Sequence, residues 1–190
     1  INYLLLNTKM KKNYNNIAKK VIDLQINALK KVKNSLGKSF NDAVDLLSKC
    51  QSKVILCGVG KSGLVASKIS ATLSSVGTPS FALSASDSSH GDLGSLSKKD
   101  ILIVLSYSGN TNELMNLIQY VNRNRIKLIG IMSKKNSILY KNSNVKLLIP
   151  EVKESGYGIV PTSSTTSQLA IGDAIAISLM QQKKIWEVRF

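Results

Sequence analysis

Apolar and polar positions alternate along the chain with two different periods. Apolar residues recur at helical spacing over residues 17–32, which predicts a long amphipathic helix ending near Gly37, and residues 40–50 predict a second helix. The period then changes at residues 54–57, a short continuous apolar run closed by Gly58. Such a run is typical of a strand that is buried on both faces.

From this strand onward, predicted strands and helices alternate. Further strands are expected at residues 80–83, 100–105, 127–132 and 145–149, and helices at residues 62–76, 111–124, 137–141 and 163–181. Strands joined by helical crossovers lie parallel, so we expect an α/β fold: a three-layer, doubly wound, five-stranded parallel sheet in the flavodoxin-like order 2-1-3-4-5, preceded by N-terminal helices.

No composition shift marks a second domain. We expect residues 13–190 to form one domain, with N-terminal helices over residues 14–50 and the α/β core over residues 53–181. Residues 1–12 are expected to be disordered or to represent upstream translation, because Met10 followed by two lysines resembles a natural start.

The charge and cysteine content narrow the possible partners. The formal net charge of the 190 residues is +15, but the excess is scattered lysine without a dense basic and aromatic run. This pattern favours a solvated surface, and nucleic-acid binding is a minor alternative. No segment has the length of a membrane span. Cys50 and Cys57 lie in or beside apolar segments and His90 is the single histidine, which indicates core thiols in a reducing cytoplasm and no metal site.

The loop after the first strand matches parts of two nucleotide-binding motifs. Gly58, Gly60 and Gly63 fit G-x-G-x-x-G, but a dinucleotide site needs an acidic residue for the ribose at the end of the second strand. The second predicted strand here is followed by Ser84, and the next acidic residue is Asp87. A P-loop ending in G-K-S requires glycine five positions before Gly60, where this chain has Ile55. Neither a dinucleotide nor a nucleoside triphosphate is therefore expected here.

Hydroxyl-rich loops suggest a phosphorylated small molecule instead. Residues 58–63 and 106–111 follow the first and third strands, where strand order reverses, and residues 161–166 open the last helix. Helix N-termini attract phosphate, although any one of these serines and threonines is also an ordinary N-cap. Lys61 falls in the first turn of a helix, where its charge opposes the dipole unless an anion lies opposite.

Five motifs together resemble a known family. G-V-G-K-S-G, G-T-P-S-F, H-G-D-L-G, S-Y-S-G-N-T-N-E and P-T-S-S-T-T occur in this order within residues 40–183. They are similar to the sugar isomerase (SIS) domain and, within it, to the D-arabinose 5-phosphate isomerase group. The resemblance implies isomerisation of D-ribulose 5-phosphate and D-arabinose 5-phosphate through an enediol, in Kdo and lipopolysaccharide synthesis. It also implies no cofactor, a cytoplasmic location, and dimers or tetramers.

The resemblance also implies the site residues. The catalytic set by resemblance is Lys61, Glu113 and Glu154, with Glu154 as the candidate base. His90 is added because it lies in a polar loop of serine, glycine and aspartate, where it would touch the sugar oxygens or assist ring opening. Glu151 is the fallback for Glu154, and a capping role beside Asn110 is an alternative for Glu113. The substrate-binding set is Gly60, Ser62, Ser106, Ser108, Thr111, Thr162, Ser163, Ser164 and Thr165.

One departure leaves a second function open. The family carries a further catalytic histidine in a His-Pro-Gly-Gly segment after the last helix, and many members carry CBS domains. This chain ends at Phe190 without either, so we expect a fragment of a longer protein. A non-catalytic or regulatory module that binds a sugar phosphate is the alternative to an isomerase.

Overall fold

A computed structural model of the protein describes residues 13–85 and 92–183. The predictions about residues 1–12 and His90 lie outside these residues. The described helices are α1 (Tyr14–Ser35), α2 (Lys38–Ser48), α3 (Lys61–Ser75), α4 (Met115–Arg123), α5 (Ile138–Asn142) and α6 (Ser163–Gln182). The strands are β1 (Val54–Gly58), β2 (Ser80–Ser84), β3 (Ile101–Leu105), β4 (Lys127–Met132) and β5 (Val145–Leu148). Short 3-10 turns cover Asp92–Ser95, Asn112–Leu114 and Gly156–Gly158.

The strands form an all-parallel sheet in the order β2-β1-β3-β4-β5, which confirms the predicted fold class. Gly58 at the end of β1 pairs with Ser84 of β2 and with Leu105 of β3, so these three strands end at the same level. The loops that follow β1 and β3 therefore start side by side at the carboxyl edge of the sheet.

Apolar side chains on alternate strand positions build one core on each face of the sheet. Leu56 and Ile103 pack on the side that holds α1, α2, α3 and α6. Ile55 and Leu102 pack on the side that holds α4 and α5. Cys57 belongs to the second core, where burial raises the pKa of its thiol to about 12, and it is a free cysteine.

The leading helices pack within the same chain. Both α1 and α2 lie against α6, and α2 also contacts the edge strand β5. Helix α3 packs closely on α6, and the ion pair between Lys68 and Asp173 joins these two helices at the surface. Their close approach brings the start of α3, which follows β1, next to the first turns of α6.

Candidate functional site

A cavity of about 430 Å³, called the site cavity below, opens at the carboxyl edge of the sheet. It lies between the start of α3, the loop of residues 106–111 (the β3 loop) and the first turns of α6. The sequence-predicted residues that line it are Lys61, Ser62, Ser106, Ser108, Thr111, Glu154, Ser164 and Thr165. Residues that are far apart in the chain therefore meet around one volume, which is large enough for a small phosphorylated sugar.

A tight turn directs the start of α3 towards the site cavity. Gly60 adopts φ +56°, a left-handed conformation that glycine accepts without strain, and it precedes Lys61, the first residue of α3. A Cβ on Gly58 would lie 2.7 Å from the backbone of Ser62, so only glycine permits this close return of the chain. Lys61 thus stands at a helix start without an acidic residue in the first turn, where the local field favours a bound anion.

The β3 loop is held by its own hydroxyl groups. Buried Ser106 accepts a hydrogen bond from the backbone N–H of Gly109 at 3.0 Å, and its Oγ lies 2.7 Å from Oγ1 of Thr111. Asn110 Oδ1 accepts from the backbone N–H of Ile138, which ties the loop to the start of α5. Asn110 is therefore anchored by α5 and not by Glu113. These bonds fix the loop that forms one wall of the site cavity.

Glu154 lines the site cavity and also caps α6. Its Oε2 accepts from the backbone N–H groups of Thr162 and Ser163, both at 2.7 Å, and from the Thr162 hydroxyl at 2.9 Å. Its Oε1 accepts from the backbone N–H of Ser164 at 3.1 Å. The carboxylate thus supplies the cap that the N-cap residue Thr162 does not supply from its own side chain.

This arrangement keeps Glu154 ionised. Burial works to raise the pKa of the carboxyl group, but the hydrogen bonds from Ser164 and Thr162 outweigh it and hold the pKa of Glu154 below its ordinary value. Hydrogen bonds to the charged form of an acid always act in this direction. The lowered pKa makes Glu154 a weaker proton acceptor than a free glutamate.

Several predicted site residues lie outside the lining of the cavity. Gly60 shapes the turn before α3, and Thr162 and Ser163 face Glu154. Glu113 is exposed in the 3-10 turn before α4, and its carboxylate has no hydrogen-bond partner in the described part of the chain. Glu151 lines a separate cavity of about 550 Å³ on the other side of Tyr107.

Two further residues were missed by the sequence reasoning. Tyr107 lines both cavities, and its hydroxyl accepts from the backbone N–H of Val152 at 3.0 Å. Gln168 is fully buried in α6 and accepts a hydrogen bond from the Ser62 hydroxyl at 3.1 Å. In the sequence, Gln168 could have been noticed as an amide among small and apolar residues of the last predicted helix. The aromatic residue between two serines was the signal for Tyr107.

Neither a metal cluster nor a membrane span occurs among the described residues. No cluster of three histidine, cysteine, aspartate or glutamate side chains in residues 13–85 and 92–183 has the geometry to hold a metal ion. Over the same residues, no helix is both long and apolar enough to cross a membrane.

Comparisons with known proteins agree on one family. The family model described as SIS domain matches residues 46–178. The chain is 41% identical to an uncharacterized protein of Rickettsia prowazekii over 90% of this chain and 54% of that protein. It is 40% identical to arabinose 5-phosphate isomerase KdsD of Francisella tularensis over 92% of this chain and 55% of that enzyme.

The similarity extends to a solved three-dimensional structure. A protein of Escherichia coli CFT073 in complex with arabinose 5-phosphate superposes with a TM-score of 0.88 and 33% identity, covering 92% of this chain and 94% of that chain. The chain spans about half the length of the curated relatives it matches, as the shares of 54% and 55% show.

Proposed function

Because this chain belongs to the SIS domain family, we propose that the protein interconverts D-arabinose 5-phosphate and D-ribulose 5-phosphate. The observation that carries the proposal is the site cavity, where Lys61, Glu154 and the hydroxyl groups of three loops meet at the switch point of the sheet. Relatives named arabinose 5-phosphate isomerase at 35–41% identity, and the similar structure in complex with arabinose 5-phosphate, support it.

The proposed reaction moves one proton from C2 to C1 and one from O2 to O1, and it needs no redox partner. A base removes the proton from C2 of the open-chain aldose, and the electron pair of that C–H bond forms an enediolate whose negative charge lies on O1. The proton returns to C1, and the O2 proton is transferred to O1, so that O1 becomes a hydroxyl group and C2 becomes the ketone carbon. An enzyme accelerates this sequence by supplying the base and by stabilising the charge on the oxygen atoms.

Lys61 is assigned the stabilisation of the negative charge that develops on the substrate oxygen. It lines the site cavity at the start of α3, where its ammonium group and the helix dipole both favour a negative oxygen. The phosphate group is assigned to the hydroxyl groups of Ser106, Ser108 and Thr111 and to the backbone of the β3 loop. Such a division places one anionic site at the start of α3 and the other at the β3 loop.

Glu154 is assigned the proton transfer, because it is the one acidic residue among the described residues that line the site cavity. Its hydrogen bonds to α6 lower its basicity, so a base here depends on the substrate carbonyl being polarised by Lys61. His90 and Glu113 complete the proposed set, with His90 assisting ring opening.

The same hydrogen bonds favour one alternative. A carboxylate that holds the first turn of α6 with both of its oxygen atoms has a structural role of its own. If that role is the main one, the domain binds a sugar phosphate without converting it. Binding without turnover distinguishes this regulatory module from the isomerase.

An assay with a matched lysine variant tests the proposal. Purified protein is incubated with ribulose 5-phosphate, and formation of arabinose 5-phosphate is followed by chromatography. Lys61→Ala is expected to lower kcat by about a hundredfold or more, the scale of losing a positioned charge at a developing oxyanion. Lys127→Ala is the control, because Lys127 is exposed at the amino end of β4, on the opposite edge of the sheet.

Three outcomes separate the possibilities. Turnover by the wild type that is lost in Lys61→Ala and kept in Lys127→Ala supports the isomerase and the role of Lys61. Turnover retained in Lys61→Ala removes that role. Thermal stabilisation by arabinose 5-phosphate without any turnover supports the binding module instead.

The proposed activity also has implications for the pathway, the cellular location and the association of the protein. We infer that the product is used in Kdo and lipopolysaccharide synthesis, that the protein acts in the cytoplasm, and that copies of it associate. The resemblance to the isomerase group supports each of these statements.

A further inference from the structure

Gln168 makes an unusual contact at the edge of the site cavity. Its side chain has no exposed surface, and its Oε1 lies 3.1 Å from Oγ of Ser62, which lines the cavity. Its Nε2 has no hydrogen-bond partner within the described residues. Burying an amide with one of its two ends unpaired costs free energy. Among the described residues, the side-chain amide of Gln168 therefore makes one hydrogen bond, the one from the Ser62 hydroxyl.

The contact determines what Ser62 offers to a ligand. A serine hydroxyl carries one proton and two lone pairs. Since the neighbouring amide oxygen can only accept, the Ser62 proton points into the protein towards Gln168, and the serine oxygen faces the cavity with lone pairs alone. In this state Ser62 accepts a hydrogen bond from a ligand hydroxyl and does not donate one to a phosphate oxygen.

A second hydroxyl on the same wall has the same polarity. Thr165 also lines the site cavity, and its Oγ1 donates to the backbone carbonyl of Thr162 at 2.9 Å. Glu154, the acidic residue of the lining, has its carboxylate taken by the first turn of α6. The hydroxyl protons of Ser62 and Thr165 are thus both used within the protein. On the wall formed by α3 and α6, these two oxygen atoms can therefore accept hydrogen bonds from a polyhydroxy ligand.

We propose that Gln168 is a positioning residue that sets the hydrogen-bond polarity of Ser62, so that Ser62 receives a hydroxyl group of the sugar and leaves the phosphate to other groups. This inference rests on the proposed function, because it takes a pentose phosphate as the ligand. Gln168 does not line the cavity, but it fixes the direction of one hydrogen bond between Ser62 and the sugar. With the amide turned over, Nε2 would donate to Ser62, and the serine proton would instead be free for the phosphate.

The test compares a ligand that has sugar hydroxyl groups with one that has none. Gln168→Met keeps the size of the side chain and removes the acceptor. We expect it to raise KM for arabinose 5-phosphate about fivefold, the size of one lost neutral hydrogen bond, with kcat within about twofold. The inhibition constant of inorganic phosphate, used as a competitive inhibitor, is expected to rise by less than about twofold.

Ser62→Ala provides a second variant that removes only one oxygen atom. It is expected to give the same pattern as Gln168→Met, and the double variant is expected to be no worse than Ser62→Ala alone, because Gln168 acts through Ser62. Thermal unfolding of each variant shows whether it is folded. If Gln168→Met does not fold, the comparison of the two ligands in Ser62→Ala still decides the direction of the hydrogen bond.

Each result has a definite meaning. An inhibition constant for phosphate that rises together with KM shows that Ser62 donates to phosphate, and it overturns the proposal. An unchanged KM in both variants, or a double variant whose losses add, overturns it as well. If the wild type has no turnover, the isomerase proposal fails alone. Calorimetric dissociation constants for arabinose 5-phosphate and inorganic phosphate then replace KM and the inhibition constant, and absence of pentose phosphate binding rejects this inference too.

Discussion

Glu154 shows how one carboxylate serves both a helix and a cavity. Its two oxygen atoms bind three consecutive backbone N–H groups at the start of α6, at residues 162, 163 and 164. Those N–H groups have no partner inside the helix, and the helix dipole adds a partial positive charge at the same place. The carboxylate therefore stabilises the first turn of α6, which supplies Ser164 and Thr165 to the site cavity.

The pH dependence of stability follows from this cap. The folded-state pKa of Glu154 lies below the ordinary value of 4.5, so its contribution is present in full above that pH and is lost as the pH falls through the folded-state pKa. We expect Glu154→Gln to lower the free energy of unfolding by about 1–2 kcal/mol at pH 7, the worth of a helix cap. The difference from wild type is expected to shrink in acid, as measured by urea unfolding from pH 7 to pH 3.

Glu151→Gln is the matched control for this measurement. Glu151 is an exposed glutamate three residues earlier in the same segment, and its replacement is expected to change the free energy of unfolding by less than about 0.5 kcal/mol. An effect of Glu154→Gln that is equally small at pH 7, or that grows as the pH falls, would contradict the capping role.

At the scale of elements, the β3 loop depends on a close contact with α5. Gly109 has φ +69°, and a Cβ at this position would lie 2.3 Å from Oγ and 2.6 Å from Cβ of Ser137. Ser137 caps α5 by accepting from the backbone N–H of Tyr140, and the carbonyl of Gly109 accepts from the backbone N–H of Leu139. The loop and the short helix are therefore fitted to each other without space for a side chain.

Gly109→Ala is expected to lower the free energy of unfolding by about 3 kcal/mol, from left-handed strain together with overpacking. Gly158→Ala is the control, since Gly158 has φ +78° but nothing within 4 Å of a Cβ. Gly158→Ala introduces the left-handed strain without overpacking, and it is expected to lower the free energy of unfolding by about 1 kcal/mol. Urea unfolding of both variants measures the difference, and equal losses would show that the contact with Ser137 is unimportant.

At the scale of the whole molecule, large apolar side chains remain exposed close to the site cavity. Leu64 of α3 is 73% exposed, and Ile159, which lines the cavity, is 80% exposed. Tyr157, two residues before Ile159, has φ +62° and is fully exposed. Large exposed apolar side chains are common on surfaces that contact another protein. They support the proposed association of copies of this chain.

Sedimentation equilibrium tests this association. The wild type is expected to have a mass that is a multiple of 20.6 kDa. Leu64→Glu, which places a charge among these apolar groups, is expected to shift the mass towards that of one chain. Lys98→Glu also introduces a glutamate at an exposed position, but near the amino edge of the sheet, and is expected to leave the mass unchanged. A wild-type mass of one chain would contradict the association.

Local sequence patterns were sufficient to predict the order of the elements, the parallel sheet and the positions of the loops. Each of these depends on local spacing: a run of four or five apolar residues for a buried strand, and helical periodicity for α1 and α2. The placement of Lys61 at the start of α3 followed in the same way, because Gly58 and Gly60 mark the turn before it. The family motifs added the chemistry expected at these loops.

The hydrogen bonds between the site residues depend on the packing of elements that are distant in the sequence. Ser62 and Gln168 are 106 positions apart and meet because α3 packs on α6. Glu154 was predicted as a base, and its second role as the cap of α6 depends on how the segment after β5 returns to the helix. Local patterns describe which face of an element is apolar, whereas these hydrogen bonds depend on the distance and direction between elements, which arise only when the two cores are packed.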